Sequence, residues 1–147
     1  ILGAEKNTLS EKLQQRISDY TQQGGNLMLS GSYLGSILPT HLAQHTLKFT
    51  YGGSMYGITT GQVFGANTTL SFPTQVNEKS YAVPAPDCLL PSTGAYSTFV
   101  YTPGNYGAGI AYQGTDYRTF VLGFPFESIE GTEQRTRVMQ AVLGAFR

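Results

Sequence analysis

The sequence predicts an α/β protein, a three-layer α/β/α sandwich with a mostly parallel central sheet and an antiparallel hairpin. Residues 26–30 and 118–124 are apolar runs of strand length, and each is followed by a turn and a helix. Residues 95–101 and 107–113 are rich in aromatic and β-branched side chains and flank a turn. At 147 residues the chain is long enough for one domain and too short for two substantial ones, so we expect a single domain over residues 1–147.

The first third of the chain is predicted to contain a helix, a buried strand and a second helical region. A helix over residues 8–23 is indicated by four apolar residues on one face, Leu9, Leu13, Ile17 and Tyr20. Residues 8–11 fit a capping box, and two glycines at 24–25 end the helix. After the strand at 26–30 and a turn at 31–35, Pro39 and Thr40 are expected to begin a helix through Phe49.

The middle of the chain is predicted to form short strands over residues 55–58, 62–64 and 69–72. Prolines at 73, 84, 86 and 91 predict a long extended connection without a regular ladder, because proline cannot donate a backbone hydrogen bond. The chain is then expected to form the hairpin, the second buried strand and a last helix over 132–146, capped by Thr132. One face of that helix is apolar, with Val138, Ala141, Val142 and Ala145.

Composition and charge exclude several classes of protein. Nine Lys and Arg balance nine Asp and Glu without clustering, which argues against a nucleic-acid partner. No apolar run approaches the roughly 20 residues of a membrane span. The weakly charged, Gly- and Tyr-rich composition is typical of extracytoplasmic bacterial modules. Because Ile1-Leu2-Gly3 reads as the end of an earlier strand, we expect a C-terminal fragment of a larger secreted protein whose export signal lies outside this segment.

The segment Gly31-Ser32-Tyr33-Leu34-Gly35 is the most informative motif. A strand followed by a turn with two bracketing glycines raises the middle residue above the carboxyl edge of a sheet, as in a nucleophile elbow. In open α/β sheets this edge is also where ligands bind. Here the middle residue is Tyr33, so the motif predicts the position of a site without supplying a usual nucleophile.

The elbow, together with Gly123-Phe124-Pro125-Phe126-Glu127 after the second buried strand, resembles the class I glutamine amidotransferase-like, flavodoxin-like fold. In that family a cysteine occupies the elbow, and a His-Pro-Glu sequence follows the late strand. By position, Tyr33 replaces the cysteine, Pro125 replaces the histidine, and Glu127 matches the glutamate. Segments 29–36, 81–89 and 117–128 more specifically resemble a C-terminal domain of secreted bacterial proteins classed as xanthan lyases. The resemblance implies a catalytically degenerate domain.

Few side chains remain that could carry chemistry. Tyr33 and Glu127 are the candidates for a catalytic role because both follow carboxyl ends of predicted neighbouring strands. Ser32, Tyr33, Asp87 and Glu127 are the candidate ligand-binding residues. A tyrosine beside a carboxylate could act as the base of a lyase, or could simply hydrogen-bond a buried acid, which is the interpretation we favour.

Metal and thiol chemistry receive little support. His41 and His45 are four residues apart and would share one face of a helix, but the glutamate of the zinc-protease motif and a third ligand are missing. We therefore expect neither a metal nor another cofactor. The single cysteine, Cys88, is expected to have a packing role.

Three functional hypotheses follow. The leading one is a degenerate module, structural or ligand-binding, of a secreted polysaccharide-processing protein of the xanthan lyase type. Its partners would be other domains of the same polypeptide and carbohydrate. The second is an active polysaccharide lyase or hydrolase that uses Tyr33 and Glu127. The third is a carbohydrate-binding module that uses exposed tyrosines, with six candidates in strands or turns: Tyr51, Tyr56, Tyr101, Tyr106, Tyr112 and Tyr117.

Overall fold

The computed structural model describes residues 9–56, 61–76 and 82–147. The helices are α1 (Glu11–Gln22), α2 (Leu34–Ile37) and α3 (Thr132–Ala145), with a π-helical turn at His41–Thr46 and a 3₁₀ turn at Phe126–Ser128. The strands are β1 (Leu27–Ser30), β2 (Phe49–Ser54), β3 (Gln62–Gly65), β4 (Thr68–Ser71), β5 (Asp87–Pro91), β6 (Ala95–Thr102), β7 (Tyr106–Gln113) and β8 (Arg118–Leu122).

The strands form one six-stranded sheet and one separate pair. The main sheet has the order β1-β8-β7-β6-β3-β4, and β2 pairs with β5 in antiparallel orientation. The prediction of a three-layer sandwich with a mostly parallel sheet is wrong. Within the described residues, β1 and β8 are the one parallel pair of the main sheet, and its other four pairs are antiparallel.

Short connections explain the antiparallel pairing. β3 and β4 are joined by Ala66 and Asn67, which both have positive φ angles, 50° and 56°. Two successive left-handed residues form the turn that closes a tight hairpin. The connections from β6 to β7 and from β7 to β8 are also short. Parallel neighbours would need a crossover of a dozen or more residues, so these strands must alternate in direction.

Several predicted elements differ in the structure. The helix expected from Pro39 to Phe49 is replaced by the π-helical turn, and Lys48, with φ 65°, leads into β2. β5 lies inside the proline-rich connection that was expected to lack a ladder. Its Pro91 stands at the strand end, where proline is tolerated. The predicted strand 55–58 extends beyond the described residues, and Thr8 of the predicted capping box lies outside them. Ser10 caps α1 by accepting a hydrogen bond from the Leu13 amide.

Apolar side chains cover both faces of the main sheet. Alternate residues of a strand point to opposite faces. Phe120 of β8 packs in a cluster with Val138 and Val142 of α3. The next residue, Val121, belongs to the other cluster, which includes Leu34 of α2 and Leu89 of β5.

The predicted apolar faces of the two long helices are only partly buried. In α1, Leu13 and Tyr20 are exposed, and Ile17 and Thr21 are the buried residues. In α3, Val138, Val142 and Ala145 are buried as the spacing predicted, and Gly131 rather than Thr132 occupies the capping position. No helix among the described residues is long and apolar enough to cross a membrane.

The phenylalanines allow a matched test of the core. Phe120 is 1% exposed and packs edge-to-face on Phe99, whereas Phe64 of β3 is 49% exposed. We expect Phe120→Ala to lower the free energy of unfolding by about 3–5 kcal/mol because it leaves a cavity. Phe64→Ala should lower it by less than about 1 kcal/mol. Urea unfolding monitored by circular dichroism measures both, and equal losses would contradict the assignment of the core.

Candidate functional site

The parallel pair β1–β8 brings the two predicted site segments to the same edge of the main sheet. Ser30 at the end of β1 is in register with Leu122 at the end of β8, and the Gly31 amide donates to the Leu122 carbonyl at 3.2 Å. The Phe126 amide donates to Ser30 Oγ at 3.2 Å. The elbow and the segment that carries Glu127 are therefore hydrogen-bonded neighbours, as expected from the sequence.

The elbow has the backbone conformation of a sharp turn. Tyr33 has φ 64° and ψ 5°, in the left-handed region, and immediately precedes α2. A bulky side chain in this region costs on the order of 1 kcal/mol or more, so surrounding contacts must hold it there. Tyr33 is half-buried and Glu127 is exposed.

The Asp87 carboxylate provides the contact that holds the elbow. Its Oδ1 accepts a hydrogen bond from the Tyr33 amide at 3.1 Å, and its Oδ2 accepts one from the Gly35 amide at 2.8 Å. Ser54 of β2 donates its hydroxyl to Oδ1 at 3.4 Å. Asp87 was predicted as a ligand-binding residue, but it is fully buried, and its carboxylate is itself bound by the elbow.

The backbone of Asp87 is fixed as firmly as its side chain. Its amide donates to the Gly123 carbonyl, just beyond β8, at 2.7 Å. Its carbonyl accepts the hydroxyl of Tyr101 in β6 at 2.9 Å. One residue therefore links the elbow, the two-stranded sheet and the main sheet.

Burial and hydrogen bonding act in opposite directions on this carboxyl group. Desolvation raises the pKa of Asp87 from 3.8 to about 6, even though the amides of Gly35 and Tyr33 and the Ser54 hydroxyl stabilise the charged form. Burial also raises the pKa of the Tyr101 hydroxyl well above its ordinary value, and the negative charge of Asp87 adds to that shift.

The occupied amides define what the elbow can do. In enzymes with a nucleophile elbow, the amide of the residue after the nucleophile helps to stabilise the oxyanion of the reacting substrate, and the matching residue here is Leu34. Here the amides of Tyr33 and Gly35, on either side of Leu34, bind the Asp87 carboxylate, and the Leu34 amide also stabilises its charged form. Ser32, another predicted ligand-binding residue, is 2% exposed, and its hydroxyl has no hydrogen-bond partner within the described part of the chain.

A second candidate site lies beside Asp87, on the two-stranded sheet. We call it the tyrosine cleft. It has a volume of about 360 Å³ and is lined by Gly52, Gly53, Ser54, Met55, Tyr56, Cys88 and Tyr106. Cys88 is buried, and desolvation raises the pKa of its thiol, which favours the protonated form. The predictions from the sequence did not include this cleft, although two consecutive glycines within a strand are a usual sign of a bulge.

A more polar cleft of about 400 Å³ contains one of the predicted histidines. Gln44, His45, Lys48, Thr50, Pro91, Ser92 and Thr93 line it. The π-helical turn places His41 and His45 outside the α-helical spacing assumed for a metal site. Among the described residues, no group of three or more His, Cys, Asp or Glu side chains could hold a metal ion.

The six candidate tyrosines have different environments. Tyr101 is buried, and Tyr51 is half-buried with its hydroxyl bonded to Ser54. The Tyr112 and Tyr117 rings contact each other at 5.1 Å, and Lys48 Nζ lies 4.9 Å from the centre of the Tyr112 ring. Tyr56 and Tyr106 are the strongly exposed members of the predicted set, and both line the tyrosine cleft.

Comparison with known proteins supports the fold and not a family. No family model matches the chain, and no curated protein matches it. A GH42 β-galactosidase from G. stearothermophilus is similar in structure, with TM-score 0.65, 11% identity, and 92% of this chain and 20% of that chain covered. A β-galactosidase from the haloarchaeon Halorubrum lacusprofundi has TM-score 0.64 and 14% identity, with 99% of this chain and 21% of that chain covered. The N-terminal domain of mmIFT52 has TM-score 0.57 and 11% identity, with 91% of this chain and 70% of that chain covered.

These neighbours correct the resemblance drawn from the sequence. They are glycoside hydrolase chains and an mmIFT52 domain, not glutamine amidotransferases or xanthan lyases. The sheet is mixed and mainly antiparallel, so the amidotransferase-like, flavodoxin-like interpretation is wrong. The chain spans about a fifth of the length of the two β-galactosidase chains. At these identities the likeness concerns the fold alone.

Titration of Asp87 should make the stability of the chain depend on pH. Its pKa is raised from 3.8 to about 6 on folding. The folded state therefore binds this proton more tightly, and the stabilisation is full below about pH 3.8 and lost as the pH rises through about 6. At about 1.4 kcal/mol per pH unit, the loss between about pH 4 and pH 7 is on the order of 3 kcal/mol.

Urea unfolding of the chain and of Asp87→Asn across this pH range would measure the effect. Because the amide does not titrate, the difference in unfolding free energy between the two proteins should change with pH in the direction given above. Phe64→Ala is the control, because this substitution at an exposed site removes no titratable group and its difference in unfolding free energy should stay constant with pH. A constant difference for Asp87→Asn would show that the carboxyl group does not titrate as described.

Proposed function

We propose that the chain is a non-catalytic, carbohydrate-binding accessory domain of a larger carbohydrate-processing protein outside the cytoplasm. Its partners are carbohydrate and the other domains of the same polypeptide. The observation that carries the non-catalytic part is the occupation of the Tyr33 and Gly35 amides by the Asp87 carboxylate.

The occupied elbow argues against acyl or amide transfer at this edge. A substrate oxyanion would have to displace a fully buried carboxylate that is fixed by its own backbone bonds. The two negative groups would also repel each other in a site of low dielectric constant. In addition, the residue at the elbow is a tyrosine, whereas elbow enzymes have a serine or cysteine that is activated by an adjacent base.

The carbohydrate part rests on two independent supports. Solved structures with this fold include β-galactosidases and an exo-β-1,4-mannosidase from Opitutaceae bacterium strain TAV5, and they contain it as about a fifth of a longer chain. The second support is the pair of exposed tyrosines in one cleft. The mmIFT52 neighbour has the fold without a sugar-related name, so the cleft is the stronger of the two.

A second candidate function is favoured by one observation. The segments that carry Tyr33 and Glu127 are neighbours at the carboxyl ends of β1 and β8. A lyase or hydrolase that uses Tyr33 as base and Glu127 as its partner would need this proximity.

Incubation with neutral and acidic oligosaccharides distinguishes the two functions. Isothermal titration calorimetry would measure binding, and mass spectrometry would detect cleavage products. We expect binding without products, and binding by Tyr33→Phe and Glu127→Gln within about twofold of the unsubstituted chain. Products that disappear in Tyr33→Phe would establish the second function. Failure to bind any oligosaccharide would contradict the carbohydrate-binding proposal.

A further inference from the structure

We infer that the tyrosine cleft is a binding site for neutral saccharides, with the rings of Tyr56 and Tyr106 as the stacking surfaces. This inference rests on the proposed function and assigns it a location and a ligand class. The volume of the tyrosine cleft, about 360 Å³, falls within the range of small-ligand sites.

The rim of the cleft presents two large rings to solvent. Tyr56 is 70% exposed and Tyr106 is 55% exposed. A tyrosine ring offers an electron-rich face that packs against the C–H face of a pyranose, and its hydroxyl can hydrogen-bond the sugar hydroxyls. Exposed aromatic rings that converge on one concavity are typical of binding sites rather than of isolated surface residues.

A β-bulge in β2 forms the floor of the tyrosine cleft. The register between β2 and β5 shifts between Tyr51 and Gly53, so Gly52 is the extra residue. A Cβ atom on Gly52 would lie 3.0 Å from the Cys88 sulfur, while one on Gly53 would meet nothing within 4 Å. The bulge therefore leaves a backbone surface open to the cleft, where a ligand can approach closely.

The segments that carry the two rings are anchored. Ser54 is bonded to Asp87, and the Met55 amide donates to the Pro86 carbonyl at 2.8 Å. Tyr106 begins β7 in register with Tyr101. Its ring lies beside Gly104, where an added Cβ would approach the ring to 2.7 Å. Fixing the backbone that carries a ring reduces the conformational freedom that is lost on binding.

The charge of the lining specifies a neutral ligand. Among the described residues, those that line the tyrosine cleft include no Asp, Glu, Lys, Arg or His. The polar cleft, in contrast, contains Lys48 and His45. An acidic sugar would find a cation in the polar cleft and none in the tyrosine cleft, so the two clefts predict different ligands.

The test compares substitutions in both clefts by calorimetry with neutral and acidic oligosaccharides. Tyr56→Ala and Tyr106→Ala should each weaken the binding of a neutral oligosaccharide about tenfold or more. Tyr20→Ala is the matched control, because Tyr20 is 51% exposed on α1 and does not line the cleft. It should leave the affinity within about twofold, and circular dichroism would confirm that each variant is folded.

A gain-of-signal variant gives an independent readout. The sequence has no tryptophan, so Tyr106→Trp introduces a single indole at the rim. This variant should keep or improve affinity, and its fluorescence emission should shift on titration with the neutral oligosaccharide. An unchanged emission at saturation would overturn the assignment of this cleft.

The outcomes separate the inference from the proposed function. Binding that survives Tyr56→Ala and Tyr106→Ala but is weakened by Lys48→Gln would overturn the tyrosine cleft and leave the carbohydrate-binding function standing, with the polar cleft as its site. Absence of binding by the unsubstituted chain across the panel would overturn both.

Discussion

The hydrogen bonds between the Asp87 carboxylate and the elbow are the interaction on which the rest of the structure depends. Tyr33 occupies a left-handed conformation, and the amides around it need an acceptor once they are buried. Asp87 supplies that acceptor, while its own amide and carbonyl bind Gly123 and Tyr101. The segments that follow β1 and β8 consequently meet β5 and β6 at a single residue.

Asp87 lies between the elbow and the tyrosine cleft. On one side, its carboxylate binds the amides of the elbow. On the other side, Ser54, which bonds to it, and Cys88, which follows it in β5, line the tyrosine cleft. A fold that closes its elbow with an internal acid can retain the framework of a site while its ligand surface lies elsewhere, which agrees with the general independence of fold and function.

The sequence predicted local features better than distant ones. The glycines at 31 and 35 correctly indicated the elbow, because a sharp turn depends on neighbouring residues. The two apolar runs form the parallel pair β1 and β8, but most of the sheet was wrongly expected to be parallel too, although short turns such as Ala66-Asn67 already required antiparallel pairing. β5 was hidden by prolines that occupy the strand end and the residues before it. Asp87 bonds to Tyr33 and Gly35, which lie 54 and 52 positions before it, and contacts over such a separation leave no pattern in a single sequence.

The distances along the chain between bonded partners also bear on how the protein is made. The Arg118 amide donates to the Asn26 side chain across 92 residues, and the elbow amides bind a carboxylate more than 50 residues downstream. Closing such long loops is entropically unfavourable until the later strands arrive. We therefore expect the domain to fold as one cooperative unit after synthesis of β8, and amide protection at Tyr33 in a fragment ending before Asp87 would refute this. A chain shortened from its C-terminus to a point before β8 would lose the strand that pairs with β1.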